Sequence, residues 1–78
     1  MIEIFEPRYR DRTVLIAAYK VRAGDESTKI KILKGYYAGD YIIDSEVIKG
    51  ASREKMKTKR GGEITVLVIP LDKLEKVE

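Results

Sequence analysis

Apolar residues recur along this chain in short runs, and the spacing inside the runs predicts strands. Lys29 to Leu33 alternates lysine with isoleucine, which is the period-two pattern of a half-buried strand. Ile64 to Ile69 is mostly β-branched and nearly all apolar, and it is too short for a buried helix. Because both of its faces are apolar except at Thr65, we expect both to be covered, as in a closed or sandwiched sheet.

The run from Ile64 to Ile69 is predicted to form the second strand of a hairpin. Gly61-Gly62 supplies a tight connection, and Lys55 to Lys59 alternates lysine with other residues before it. We expect Val66 and Val68 to anchor the second strand in the interior. The first strand would present three cations on one face, because alternate side chains of a strand point the same way. These cations are Lys55, Lys57 and Lys59.

Two other segments allow more than one interpretation. Thr13 to Val21 contains acceptable helix formers, but its β-branched residues and its weak capping signal favour a strand. For residues 44 to 53, two interpretations stay open. Either a helical turn begins with Asp44 or Ser45 as its cap, or the sheet continues and bends at Gly50.

The complete pattern predicts one all-β domain spanning residues 1 to 78. We expect a five- to six-stranded antiparallel barrel or sandwich, SH3-like or OB-like by analogy of architecture alone. Leu71 to Val77 has apolar residues three apart and is expected to add one short helical or 3₁₀ turn. The predicted strands lie near residues 2 to 5, 13 to 21, 29 to 34, 40 to 48, 54 to 59 and 63 to 69.

The amino-acid composition excludes several kinds of functional site. With no cysteine and no histidine, disulfides and thiolate or imidazole zinc sites are excluded, and a hydrolase would need a serine activated by lysine or a pair of carboxylates. Asp40, Asp44 and Glu46 lie close in sequence, but the glycine and the terminal glutamate of a calcium loop are not in register with them. We therefore expect neither an enzyme nor a metal or cofactor site.

The chain also lacks the signals of export and of membrane insertion. We find no basic segment followed by an apolar run near the start, and no apolar run long enough to span a bilayer. The absence of cysteine is compatible with a reducing cytosol. These features predict a cytoplasmic protein with no membrane partner.

Positive charge is concentrated in one segment. The net charge is +3, yet residues 49 to 60 alone carry six cations against the single carboxylate of Glu54. Residues 1 to 12 and residues 13 to 48 are each balanced. The cations of the basic segment are Lys49, Arg53, Lys55, Lys57, Lys59 and Arg60.

This segment suggests a nucleic-acid-binding accessory module. Its cations would contact DNA or RNA phosphates with little sequence discrimination, and Tyr36, Tyr37 and Tyr41 would stack on bases if they share that side of the sheet. Lysine on an exposed strand also protects a sheet from edge pairing, so the same residues fit a purely structural role. The alternative function is a protein-interaction or homo-oligomerisation module, in which a tyrosine cluster or a sheet edge such as Ile2 to Phe5 pairs with a partner.

Overall fold

The computed structural model describes residues 2–21, 24 and 26–77, and these residues form seven strands in two sheets. The first sheet, of order β1-β3-β4-β7, contains β1 (Ile2–Ile4), β3 (Ser27–Ile32), β4 (Gly39–Asp44) and β7 (Glu75–Lys76). The second sheet, of order β2-β6-β5, contains β2 (Thr13–Ala17), β5 (Ser52–Lys57) and β6 (Glu63–Pro70). The predicted all-β class is confirmed.

The inner faces of the two sheets enclose the core. In β3 the burial alternates strictly, with Ile30 and Ile32 inside and Lys29 and Lys31 outside, as the alternating sequence predicts. Neighbouring strands contribute their own alternate residues to the same layer. The buried core residues are Ile2, Val14, Ile16, Ile30, Ile32, Tyr41, Ile43, Leu67 and Ile69.

The topology differs from the predicted antiparallel barrel in two respects. Within the described residues, the two sheets do not join into a closed barrel. In addition, β1 pairs with β3 in parallel, with Ile2 opposite Ile30. Residues 5–26 separate these two strands and include β2 of the other sheet, which gives the chain the long crossover that a parallel pair needs.

Two predicted strands are shorter than expected because local helical turns end them. β2 stops at Ala17, and a 3₁₀ turn, Ala18–Lys20, follows it. β4 stops at Asp44, and α1 (Ser45–Lys49) follows it, which decides between the two interpretations of this segment in favour of the helix. Asp44 occupies the N-cap position but makes no side-chain capping bond. The predicted C-terminal turn is present as a 3₁₀ turn, Leu71–Lys73, but it ends there, because Glu75–Lys76 pairs with β4 as a strand.

The burial of β6 corrects the prediction for its valines. Leu67 and Ile69 enter the core because β6 is in register with β2, which places them opposite Ile16 and Val14. Val66 is buried outside that core cluster, and Val68 is only half-buried. The prediction is therefore confirmed for Val66 and wrong for Val68, and the face of β6 that bears the valines is covered only in part.

Candidate nucleic-acid interface

The predicted hairpin is present and extends beyond the three-stranded part of its sheet. β2 pairs with β6 only as far as Ala17 opposite Val66. The first residues of β6, from Glu63 to Thr65, pair with β5 instead. Residues 55–65 therefore form a two-stranded ribbon with its turn at the tip, which we call the basic ribbon.

The turn of the basic ribbon places two cations at its tip. Gly61 donates a backbone hydrogen bond to the carbonyl of Thr58 at 3.0 Å, and Thr58 donates one to the carbonyl of Gly62 at 2.7 Å. Gly61 has a φ of 86°, the left-handed conformation that closes a three-residue hairpin loop. Lys59 and Arg60 occupy the first two positions of that loop and are exposed.

The cation stripe on β5 is shifted from the predicted one. Strand pairing ends at Lys57, so Lys59 belongs to the turn and is not the third member of a strand face. Arg53 takes that place, because the odd-numbered residues of β5 point to one side. Arg53, Lys55 and Lys57 are exposed and follow one another at about 6.8 Å, two strand steps apart.

This stripe lies on β5, which is an edge strand of the second sheet. Arg53 stands opposite Leu67, so the cations share the face of the sheet that bears the core, yet all six residues of β5 are exposed. Inward-facing charge on an edge strand opposes unwanted strand pairing. The geometry therefore fits a protective role as well as a binding role.

The cations of the basic ribbon have no carboxylate within salt-bridge distance among the described residues. The salt bridges found there both involve Arg8, which contacts Asp11 and also donates to Glu54 at 3.2 Å. Glu54, an even-numbered residue of β5, points to the opposite face from the stripe. Glu63 stands opposite Lys57 in the register but forms no such bridge. A positive stripe is thus left open to an anionic partner.

Lys49 belongs to a different element from the rest of the predicted cation set. It is the last residue of α1 and is exposed, and it precedes β5 by the short connection through Gly50 and Ala51. Its ammonium lies in the last turn of the helix, where a cation is favourable. Lys49 therefore lies near the start of β5 and away from the tip of the ribbon.

Tyr41 is placed in the core rather than at the interface. Its side chain is only 9% exposed, and its hydroxyl donates a hydrogen bond of 2.7 Å to the carbonyl of Tyr37. Burial raises the pKa of the Tyr41 phenol above its ordinary value of 10.0, and the neighbouring Tyr37 and Tyr9 raise the pKa further. A ring in this position packs the core and offers no face to a base.

Tyr36 and Tyr37 lie at the far end of the molecule from the basic ribbon. Both belong to the loop 33–38 between β3 and β4, and Tyr37 lines a cavity together with Pro70 and Leu71. Pro70 ends β6, whereas Glu63 begins it, and seven strand steps separate them by about 23 Å. The structure does not bring the predicted cations and tyrosines together.

A third tyrosine at that far end was not among the predicted site residues. Tyr9 stacks on Tyr37 with ring centroids 5.7 Å apart, and it is 41% exposed. Its position between charged residues in the sequence is compatible with a contact role. The contact with Tyr37 depends on how two distant loops meet, and no local pattern carries that information.

The remaining sequence candidates give no further site. In the part of the chain that the structure describes, no group of three or more acidic side chains is arranged to hold a metal ion. Asp40 and Asp44 lie at the two ends of β4, and Glu46 lies in α1. The described helices are all far too short to cross a bilayer.

Comparison with known proteins does not change this description. No protein-family model matches the sequence, and neither a curated protein nor a solved structure matches it.

Proposed function

We propose that this protein is a non-catalytic accessory module that binds nucleic acid through the basic ribbon, mainly by contacts to phosphates. The observation that supports the proposal is the ribbon itself. Lys55, Lys57, Lys59 and Arg60 are exposed on a narrow projection, and among the described residues no carboxylate lies within 4.0 Å of them to form a salt bridge.

The shape of the ribbon suits such a ligand. Two paired strands are about 5 Å apart, and a ribbon of this width fits the major groove of duplex DNA, which is about 12 Å wide. Lysine and arginine at the tip and along one side would neutralise several phosphates at once. Contacts to phosphates carry no direct sequence information, so we expect little sequence discrimination.

The tyrosines are not part of this interface. Tyr41 is buried, and the other two lie beside the C-terminal end of β6, about 23 Å along that strand from Glu63. We therefore expect the ribbon to bind through charge alone, without base stacking, with a salt slope per phosphate contact of about −0.9 on duplex DNA and about −0.7 on single strands.

Charge reversal tests the proposal. The variant Lys55→Glu, Lys57→Glu, Lys59→Glu should lower the affinity for single- and double-stranded DNA and RNA by about a hundredfold at low salt, because attraction to phosphates becomes repulsion. Fluorescence anisotropy at low and moderate salt measures the change. The altered residues are exposed, so circular dichroism of the variant should match the wild type.

A matched variant controls for net charge. Lys29, Lys31 and Lys73 are also exposed, and they lie on β3 and on the C-terminal 3₁₀ turn instead of the ribbon. Their replacement by glutamate changes the net charge by the same amount. If both variants lose affinity equally, binding follows overall charge and the ribbon is not the site.

The alternative of self-association through a sheet edge has less support. β1 is only three residues long, and short edge strands are poor templates for pairing. A two-fold axis normal to the second sheet would place the cations of β5 opposite the same cations of the other copy, which is repulsive. Sedimentation equilibrium should therefore give a monomer at every concentration tested. A dimer would support self-association instead.

Two further expectations from the sequence remain proposals. We propose a cytoplasmic location, which the absence of cysteine supports. The likeness to SH3-like or OB-like barrels is retained as an analogy of architecture, and the binding proposal does not depend on it.

A further inference from the structure

The basic ribbon projects from the protein and has its free end at the turn. Its base is held by the body of the protein, because β6 pairs with β2 as well as with β5 at Val66, Leu67 and Val68. Beyond that point none of residues 55–65 is buried. A ligand therefore has access to the turn and to both faces of the ribbon, and only the turn can enter a cleft first.

The cross-section of the ribbon matches one groove of duplex DNA. Its two strands are about 5 Å apart, and a sheet layer with side chains on both faces is about 10 Å thick. The major groove of B-form DNA is about 12 Å wide and about 8.5 Å deep, and it admits a two-stranded ribbon. The minor groove, about 6 Å wide, is too narrow for it. The major groove is therefore the one that the ribbon fits.

The length of the ribbon determines which cations reach the phosphates. Thr58 begins the turn, where its backbone bonds to Gly61 and Gly62. Lys55 precedes Thr58 by three residues, or about 10 Å at the spacing of a strand. When the turn reaches the floor of a groove about 8.5 Å deep, Lys55 and Lys57 are therefore at the level of the phosphates on its rim.

The charges of the ribbon suit this position. Lys59 and Arg60 lie in the turn, and Lys55 and Lys57 lie on one face of β5, so cations extend from the tip toward the base. Glu63 is the one carboxylate of the ribbon, and it stands opposite Lys57. Four cations and one carboxylate leave a formal charge of +3. Such a projection is attracted into a groove that has phosphates along both rims.

Duplex RNA does not offer an equivalent entry. Its A-form helix has a deep, narrow major groove and a wide, shallow minor groove. A ribbon about 10 Å thick stays outside the first and rests on the surface of the second. Only Lys59 and Arg60, in the turn, then meet phosphates, because Lys55 remains about 10 Å behind the turn. A single strand also lacks the two phosphate-lined rims of a groove.

We propose that the basic ribbon enters the major groove of B-form DNA turn first, and that it thereby selects duplex DNA over duplex RNA and single strands. This inference rests on the proposed function, because it names the nucleic acid that the same ribbon binds. Lys59 and Arg60 extend from the turn toward the walls of the groove, and Lys55 and Lys57 contact the phosphates of one rim. The selection follows from the shape of the groove and not from the base sequence.

Binding to a single base sequence in several forms tests the proposal. Fluorescence anisotropy is measured with labelled duplex DNA, duplex RNA and the separate DNA strands, each over a range of salt concentrations. We expect duplex DNA to bind at least about tenfold more tightly than the other forms at about 50 mM salt, because more cations contact phosphates. The salt slope on duplex RNA should correspond to about two contacts fewer.

A paired substitution distinguishes groove entry from binding at the surface of the helix. The variant Lys55→Ala, Lys57→Ala should reduce the salt slope on duplex DNA by about 1.8. It should leave the slope on duplex RNA unchanged, because these lysines reach phosphates only when the ribbon is inserted. The variant Lys29→Ala, Lys31→Ala is the matched control, since these lysines also lie two residues apart on an exposed strand face, and it should change neither slope.

The outcomes separate this inference from the proposed function. Equal affinity for duplex DNA and duplex RNA, or an equal change of both slopes in the variant Lys55→Ala, Lys57→Ala, would overturn groove entry and leave phosphate binding by the ribbon intact. Tighter binding of single strands would do the same. Absence of binding to every form at about 50 mM salt would contradict the proposed function as well.

Discussion

The two halves of β6 lie in different surroundings although they belong to one strand. Leu67 and Ile69, in the C-terminal half, are at most 1% exposed and pack between the sheets. Glu63, Ile64 and Thr65, in the N-terminal half, pair with β5 outside the three-stranded part of the sheet, and none of the three is buried. The C-terminal half stabilises the fold, and the N-terminal half carries the basic ribbon.

This contrast means that the candidate site is nearly independent of the core. Substitutions in the ribbon remove charge without removing buried apolar area, so a loss of binding there reports on the interface. Substitutions in the C-terminal half of β6 act on the whole domain instead.

The largest effect is expected from a cavity in the core. Leu67→Ala should lower the free energy of unfolding by about 2–5 kcal/mol, because it removes a fully buried side chain. Met56→Ala is the matched control on the ribbon, where the side chain is 41% exposed, and it should change the free energy by no more than about 0.5 kcal/mol. Urea denaturation measures both. Equal losses would show that the ribbon is part of the cooperative core.

A smaller effect is expected at the turn of the ribbon. Gly61→Ala should cost about 1–2 kcal/mol, because Gly61 has a φ of 86° and alanine disfavours that conformation. The cost comes from the backbone alone, since nothing lies within 4 Å of a Cβ atom at this position. Gly61→Asn should lose less, because asparagine tolerates left-handed backbone. Thermal unfolding of both variants checks the order, and an equal loss would contradict the assigned turn.

The smallest predicted effect on stability concerns Tyr41 and depends on pH. The folded-state pKa of its phenol is raised by burial, so the folded protein holds this proton more tightly than the unfolded chain does. The contribution to stability is complete below pH 10.0 and is lost as the pH rises from there toward the folded-state pKa.

The variant Tyr41→Phe distinguishes the contribution of the Tyr41 phenol to stability from the contributions of the other titratable groups. The variant lacks the hydrogen bond to the Tyr37 carbonyl, so it should be less stable by about 0.5–1.5 kcal/mol at neutral pH. Its stability should also fall less steeply in alkali, because no buried phenol remains to ionise at this position. Urea denaturation at several pH values tests the difference, and parallel curves for the two proteins would contradict it.

The sequence predicted the strands of this fold better than their ends. Alternation identified Lys29 to Leu33, and the two glycines located the hairpin turn, because both signals are local. The end of β4 at Asp44 was left open, since a five-residue helix has too few residues for a clear period. The parallel pairing of Ile2 with Ile30 depends on long-range contacts that no local pattern contains.

The candidate site was predicted only in part. The excess of cations in residues 49–60 is evident from the sequence, and most of these cations lie along one hairpin. The exact stripe was missed, because strand pairing ends at Lys57 and the turn removes Lys59 from the strand face. The tyrosines were included on the condition that they share the side of the cations, and the structure does not meet this condition, which depends on the end of β6 that each loop adjoins.

The salt dependence of nucleic-acid binding tests the central claim most directly. If Lys55, Lys57, Lys59 and Arg60 each contact a phosphate, the logarithm of the binding constant for duplex DNA should fall against the logarithm of salt concentration with a slope of about −3 to −4. The matched variant with altered Lys29, Lys31 and Lys73 should keep this slope. Absence of any salt-dependent binding of DNA or RNA at about 50 mM salt would contradict the assignment of the basic ribbon as a nucleic-acid interface.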